Sequence, residues 1–355
     1  MIVYILLVVF ILILHIVCSN TTKIQSVKDL NFTYYIVACI SIILIIGLRD
    51  KSVGSDTVVY VHVFEICNEL SWPYIIQRSI AYRDPGFYIF TKIITYFCFG
   101  QEWIYLLIMA ALSCLGIFYL IYQTSDKPIL SLYFWICLST FLFIQTGLRQ
   151  AVAMSLCAYS IKFINTKRII PFVITILLGA MIHHSSLLFL PVYLCAYINY
   201  NKKYILFVVI IIMFSSYIYQ YIFEMANKYL IYSKNNDFVD NGYVTFCVVM
   251  IINIFSMCTI QKWMTKTIHK DIFYMSMFCL VLWSFRLIDR QAERPSMYFM
   301  CFLPPVLSNS IMCGITNDKK INDIIYYVTM LFSFLFFYKR IMHNPLYDYH
   351  FYNIF

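Results

Sequence analysis

The chain has 355 residues, 62% of them hydrophobic and 12% charged, with a formal net charge of +9 and a mean hydropathy of +0.78. A soluble domain carries about a quarter charged residues, so this composition excludes a soluble globular protein and sets most of the surface against lipid or buried protein. The positive charge comes without a basic block or aromatic-basic alternation, which argues against a nucleic-acid partner, and the 13 Cys show no CxxC or zinc-ligand spacing, so they read as small packing residues.

Apolar runs near 20 residues cross a bilayer as helices. In chain order the sequence predicts spans over 2–19, 33–48, 103–122, 129–146, 150–166, 169–182, 185–199, 204–222, 244–261, 272–288, 295–313 and 323–339. This is an all-α polytopic integral membrane protein of about 12 helices (roughly 11–14), one transmembrane domain over 1–355. The first run lacks a basic start and a small-residue cleavage site, so it reads as a retained helix. Two connections are long. The loop 49–102 follows the second helix and holds an apolar stretch, Phe87 to Phe99, interrupted by Lys92; it is too short for a span and reads as an amphipathic or re-entrant helix. The second long loop is 223–243.

Basic residues of short loops mark the cytoplasmic side. With these spans, 12 of the 17 Lys fall on one face, and that face carries 13 basic against 5 acidic residues, a net +8. The other face holds 8 of the 9 Arg and 13 basic against 12 acidic residues, a net +1. The Lys face is therefore expected inside, with both termini and the Arg face outside. Lys on one side is ordinary topology; Arg with acids on the other suggests a site for an anionic ligand.

Four constellations lie on that outer face. The first is Gly47-Leu48-Arg49-Asp50-Lys51-Ser52-Val53-Gly54-Ser55-Asp56-Thr57, followed by Tyr60. Gly54 can take positive φ, and Asp56 is placed to cap the helix that begins at Thr57; a capped, charged loop is the alternative to a binding loop. The same loop closes on Arg83-Asp84-Pro85-Gly86-Phe87-Tyr88, readable as an ion-paired turn. The second is Gln145-Thr146-Gly147-Leu148-Arg149-Gln150. An Arg at a helix start opposes the macrodipole, so Arg149 either contacts a ligand or snorkels to the interface. The third is Met181-Ile182-His183-His184-Ser185-Ser186. Histidines near membrane depth are often functional; one of this pair is expected only to cap or bond a carbonyl, the other to accept a proton or donate to phosphate. No acid stands at i±3 or i±4, so no metal and no cofactor are expected. The fourth is Arg286, Asp289, Arg290, Glu293 and Arg294, which form one charged stripe if helical. A self-neutralising ladder is the alternative, but three Arg against two acids leave one positive charge, and Arg's planar fork suits phosphate.

The ordered set Gly47-Leu48-Arg49, Gly54-Ser55-Asp56-Thr57, Tyr60, Asp84-Pro85-Gly86-Phe87, Arg149-Gln150 and His183 with Ser185 or Ser186 resembles the EpsG-like group of Wzy-type polysaccharide polymerases. The closing Asn344-Pro345-Leu346-Tyr347 is similar to that family's Pro-Tyr tail, with Leu inserted. The resemblance implies a bacterial inner-membrane glycosyltransferase with a GT-C-like helical fold and a periplasm-facing site. It would polymerise undecaprenyl-diphosphate-linked repeat units of O-antigen or a similar glycan, taking that lipid-linked glycan as donor and acceptor, with a separate chain-length regulator. On this reading Arg49, Arg149, Arg286, Arg290 and Arg294 would bind the diphosphate, and Tyr60, Gln150 and Glu293 the substrate. Asp56 is the first choice of base, with Asp84 and His183 behind it. Two rivals stay open: a flippase for the same lipid-linked sugar, and a membrane O-acyltransferase using His183 or His184.

Overall fold

A computed structural model of the chain describes residues 1–21, 27–82, 84–138, 140–197, 203–229, 242–342 and 348–352. Regular structure among them is helical, apart from an isolated antiparallel bridge between Arg49 and Phe351. The helices are α1 (Ile2–Thr21), α2 (Val27–Gly47), α3 (Thr57–Glu69), α4 (Trp72–Ala81), α5 (Pro85–Cys98), α6 (Glu102–Thr124), α7 (Pro128–Cys137), α8 (Thr140–Thr146), α9 (Leu148–Asn165) and α10 (Ile169–Ile182). A 3₁₀ helix, His184–Ala196, follows, then α11 (Lys203–Met213), α12 (Ser215–Tyr229), α13 (Tyr243–Trp263) and α14 (Thr267–Arg286). A short 3₁₀ turn, Arg290–Ala292, precedes α15 (Glu293–Met300), α16 (Leu303–Cys313) and α17 (Lys319–Met342). Arg83, residues 230–241 of the second long loop and Asn344-Pro345-Leu346-Tyr347 lie outside the described residues.

This is an α-helical, multi-pass membrane protein. Five helices are long and apolar enough to cross a bilayer: those of Ile2–Ser19, Leu30–Gly47, Glu102–Thr124, Tyr243–Trp263 and Lys319–Met342. Counting each of three bent pairs as one span raises the number to eight. The count of about twelve is thus met only in part, for local reasons. The stretches 129–146, 204–222 and 295–313 are broken, with their halves bent by 60°, 69° and 55°. Alternation of Ser, Gln, Lys and Asn with apolar residues lowers the hydropathy of α9, and His269, Lys270 and Asp271 open α14. The segments around His183 are individually short, 14 and 13 residues. At about 1.5 Å per α-helical and about 2.0 Å per 3₁₀ residue they reach roughly 21 and 26 Å, and they pack on each other as a helical hairpin.

The long loop after α2 folds into three helices, α3 to α5, packed on α6 and α10 around a second apolar cluster that includes Phe64, Phe87, Tyr105 and Leu148. Lys92, the charge inside the apolar stretch, is buried, and its Nζ donates to the Cys67 and Leu70 carbonyls at 2.7 and 2.8 Å. It thereby satisfies carbonyls that end α3 and would otherwise be orphaned.

Polar contacts gather at both ends of the bundle. At one end Lys266 pairs with Asp126 at 3.4 Å, Thr267 bonds Asn165 at 3.1 Å and Lys262 donates to the Gly314 carbonyl at 2.9 Å. At the other the tail returns to the site loop: Asp50 N–H donates to His350 O and Tyr352 N–H to Leu48 O, while Tyr349 Oη donates to Ile45 O at 2.8 Å. Glu102 there accepts from both Lys51 and Tyr352, at 3.2 and 3.0 Å.

Candidate functional site

The site is built on Asp84, which sits just before Pro85 at the start of α5. Gly86 is what brings it in. A Cβ on Gly86 would stand 2.6 Å from both the Cβ and the carbonyl oxygen of Met181, so the start of α5 can lie on the end of α10 only with glycine there. Immediately beyond Met181 the chain turns from α10 into the 3₁₀ helix, and His183 and His184 occupy that turn.

Asp84 is buried, and four N–H donors meet its two oxygens. Oδ1 accepts from the His184 backbone N–H at 3.1 Å and from His184 Nδ1 at 2.7 Å. Oδ2 accepts from Arg149 Nη1 at 3.0 Å and from His183 Nδ1 at 3.4 Å. Burial alone would push this carboxyl up, but hydrogen bonds from the two imidazoles and the backbone, with the charge of His183, hold it well below the usual carboxylate range. An ionised carboxylate only accepts, so both rings carry a proton on Nδ1, and a neutral His183 then presents Nε2 as an acceptor. Burial pulls the His183 imidazole below its ordinary value and outweighs the opposing pull of Asp84.

Arg149 starts α9 at the same place. Its guanidinium carbon lies 5.9, 5.4 and 5.4 Å from the ring centroids of Tyr60, Tyr82 and Phe87, with 23% of the side chain exposed. The macrodipole objection to an Arg at this position is answered by the Asp84 carboxylate and three aromatic faces, each worth about 0.5–2 kcal/mol. Gln150 is buried beside it, and its amide donates to the Arg294 carbonyl, tying α9 to the first turn of α15.

The other sequence-selected residues are placed differently. Arg49 is completely buried and donates to the carbonyls of Ile46, Val53 and Gln145. Gly54, at φ +93°, lets the loop close onto that same Gln145 carbonyl. Asp56 precedes α3, but its side chain makes no cap hydrogen bond and stays exposed. The Arg286 to Arg294 stripe is not one helix. The α-helix stops at Arg286 and a 3₁₀ turn follows, capped by Asp289 through the Gln291 N–H at 2.8 Å. Arg286 is buried and pairs with Glu293 at 2.8 Å, Asp289 accepts from Tyr219 at 2.7 Å, and Arg290 and Arg294 are exposed.

Sequence reasoning missed three things here. His184 touches Asp84 as His183 does, and the acid that joins the histidines comes from a hundred residues upstream rather than from i±3 or i±4. Tyr82 was missed as well, although its place two residues before Asp84 was a usable signal. Asp84, His183 and His184 each offer a ligand atom within 4.8 Å of the others, as a metal site would. The hydrogen-bond pattern fits such an ion poorly: each Nδ1 is used as a donor to Asp84, and the Arg149 cation sits on the same carboxylate. Chemically, the arrangement offers a fixed cation, a buried imidazole acceptor and an ionised carboxylate holding both.

A family model described as the EpsG family matches residues 32–353, nearly the whole chain, and the chain belongs to that family. No curated protein matches it. No solved structure matches it either.

Proposed function

From membership of the EpsG family as premise, we propose that the chain is a membrane glycosyltransferase that polymerises polysaccharide repeat units carried on undecaprenyl diphosphate. The site faces the periplasm of a bacterial inner membrane, on a GT-C-like bundle of about twelve crossings. The observation that carries this reading is the Asp84 carboxylate holding Arg149 and His183 together, at 3.0 and 3.4 Å. Glycosyl transfer from a lipid diphosphate needs positive charge where the leaving group develops negative charge, and an acceptor for the proton of the attacking hydroxyl. Arg149 supplies the first, in an aromatic surround that strengthens its field. Arg290 and Arg294, exposed in the 3₁₀ turn after α14 and in the first turn of α15, extend the anion surface. The buried Arg49 builds the loop that carries Gly54 and Thr57 instead of meeting ligand. Tyr60 walls the Arg149 pocket, and Gln150 fixes the approach of α15. A separate chain-length regulator belongs to the same reading.

A flippase would need polar groups reached from both leaflets, whereas this cluster sits at one end of the bundle. The test is the ladder of surface glycan in cells lacking the gene, complemented with wild type or Arg149→Ala. Loss of the ladder to single repeat units, restored by wild type alone, supports polymerisation. Absence of any repeat unit points upstream to translocation, and an intact ladder lacking only acyl groups points to acyl transfer.

A further inference from the structure

Resting on the glycosyl-transfer reading, we infer that His183 Nε2 takes the proton of the attacking hydroxyl, and that Asp84 is a positioning residue acting through it. His184, outside every role given so far, is the second clamp on that carboxylate.

Three observations carry the assignment. Asp84 meets four N–H donors on two oxygens; a carboxylate so engaged is a weak proton acceptor. Those donors include both Nδ1 atoms, which fixes the tautomer and leaves Nε2 of His183 as the basic lone pair. That Nε2 is buried and has no hydrogen-bond partner among the described residues, and the same holds for Nε of Arg149. Buried polar atoms of native proteins are almost always paired. One unpaired acceptor and one unpaired donor, on two residues sharing one carboxylate, match a ligand that brings a hydroxyl proton and an anionic oxygen: a sugar alcohol and a diphosphate.

The step balances. The acceptor oxygen forms a bond to the anomeric carbon while the bond from that carbon to the diphosphate oxygen breaks. The broken bond's electron pair leaves with the lipid diphosphate, facing Arg149. The hydroxyl proton moves to His183 Nε2, and the resulting imidazolium is paired with Asp84 until it releases its proton to water.

Purified full-length protein in nanodiscs, given a lipid-diphosphate-linked repeat unit, reads this out as rate against pH. The charged and titratable groups around His183 are Asp84 ahead of α5, Arg149 of α9 and His184 beside it, and the Tyr298 phenol of α15 acts on the same Asp84. The acid limb of the wild-type profile should therefore inflect below the 6.5 of a free imidazole. His183→Gln should lower the rate by roughly 10²- to 10⁴-fold and abolish that limb. Asp84→Asn should keep an acid limb but move it lower, since the carboxylate that favours imidazolium is gone, whereas His184→Gln, which removes a neighbouring imidazole that disfavours it, should move the limb higher. A wild-type profile with no inflection below 6.5, or a limb that survives in His183→Gln, overturns the assignment without any appeal to folding of Asp84 variants. Activity abolished by EDTA and restored by zinc overturns it in favour of a metal at Asp84, His183 and His184. A wild type that transfers no glycan at all overturns the function reading, and this assignment with it; wild-type transfer with failed variant predictions overturns the assignment alone.

Discussion

Replacing Arg149 with Lys keeps the charge and removes the shape. In the structure Nη1 is bound to Asp84 at 3.0 Å and the planar head lies among the rings of Tyr60, Tyr82 and Phe87. A Lys can keep the ion pair with Asp84 or turn to a phosphate oxygen, but its single ammonium lacks a second edge to do both rigidly. One charge-assisted hydrogen bond is worth about 1.5–3 kcal/mol. If that bond is made to the departing diphosphate, its loss converts to roughly a 10- to 150-fold fall in kcat at about 1.4 kcal/mol per tenfold. KM should change little, because the charge being met develops in the transition state. Folding should be largely retained, since Lys still sets a positive charge beside the buried Asp84 carboxylate and does not leave that charge unpaired. The assay is single-turnover extension of a synthetic lipid-linked repeat unit, with a thermal melt of the same nanodisc preparation. A kcat within about twofold of wild type in a normally folded Arg149→Lys protein would refute the reasoning, as would a loss carried wholly by KM.

Arg49→Met should do the reverse: it takes a donor from three buried carbonyls, leaving those of Val53 and Gln145 to share the Thr57 hydroxyl, and a buried carbonyl left unmet costs about 1–3 kcal/mol, so folded yield and Tm should fall while the rate per folded molecule changes far less. Gly86→Ala should force α5 off Met181 and lower activity at least tenfold with the protein still membrane-inserted, read from the glycan ladder and an accumulation blot. Lys92→Met should leave the Cys67 and Leu70 carbonyls unpaired and raise hydrogen exchange at the end of α3, measured by mass spectrometry. For stability against pH, Asp84 titrates lower folded than the 3.8 of its free carboxyl; its contribution is complete above that value and is lost as pH falls through the folded one. Wild-type Tm should therefore drop below about pH 4 more steeply than that of Asp84→Asn.

Much of the fold was legible because hydropathy is a local property. Length and apolarity of single segments give α1, α2, α6, α13 and α17. What was illegible depends on breaks and on tertiary contact. Nothing in the apolar pattern of 129–146 or 295–313 marks a bend of 60° or 55°, and a hydrophobic 13-residue segment does not reveal that it runs as a 3₁₀ helix with Pro191 inside. The site divides the same way. Asp84, Arg149 and His183 were each visible as a polar group at the end of an apolar run, but their union depends on α5 lying against α10, which only the three-dimensional position of Gly86 explains. The Arg286 to Arg294 spacing fitted a helix numerically and misled, because Asp289 caps a new turn there instead of continuing the old one.

The tripeptide Gly-Leu-Arg occurs twice, at Gly47 to Arg49 and at Gly147 to Arg149, and the two copies show why residue type alone cannot assign a function. In the first, the guanidinium is wholly buried and each of its three nitrogens donates to a main-chain carbonyl. In the second, one nitrogen is tied to Asp84, another is buried without a partner, and nearly a quarter of the side chain is open to solvent. The first clamp also serves the second: the carbonyl that Arg49 holds belongs to Gln145, four residues before Arg149, and the side chain of Gln145 accepts from Tyr4 of α1 at 2.6 Å. Fixing Gln145 from two sides fixes the turn from α8 into α9, and with it the angle at which Arg149 enters the site. One arginine is thus spent on geometry so that the other can be kept for chemistry.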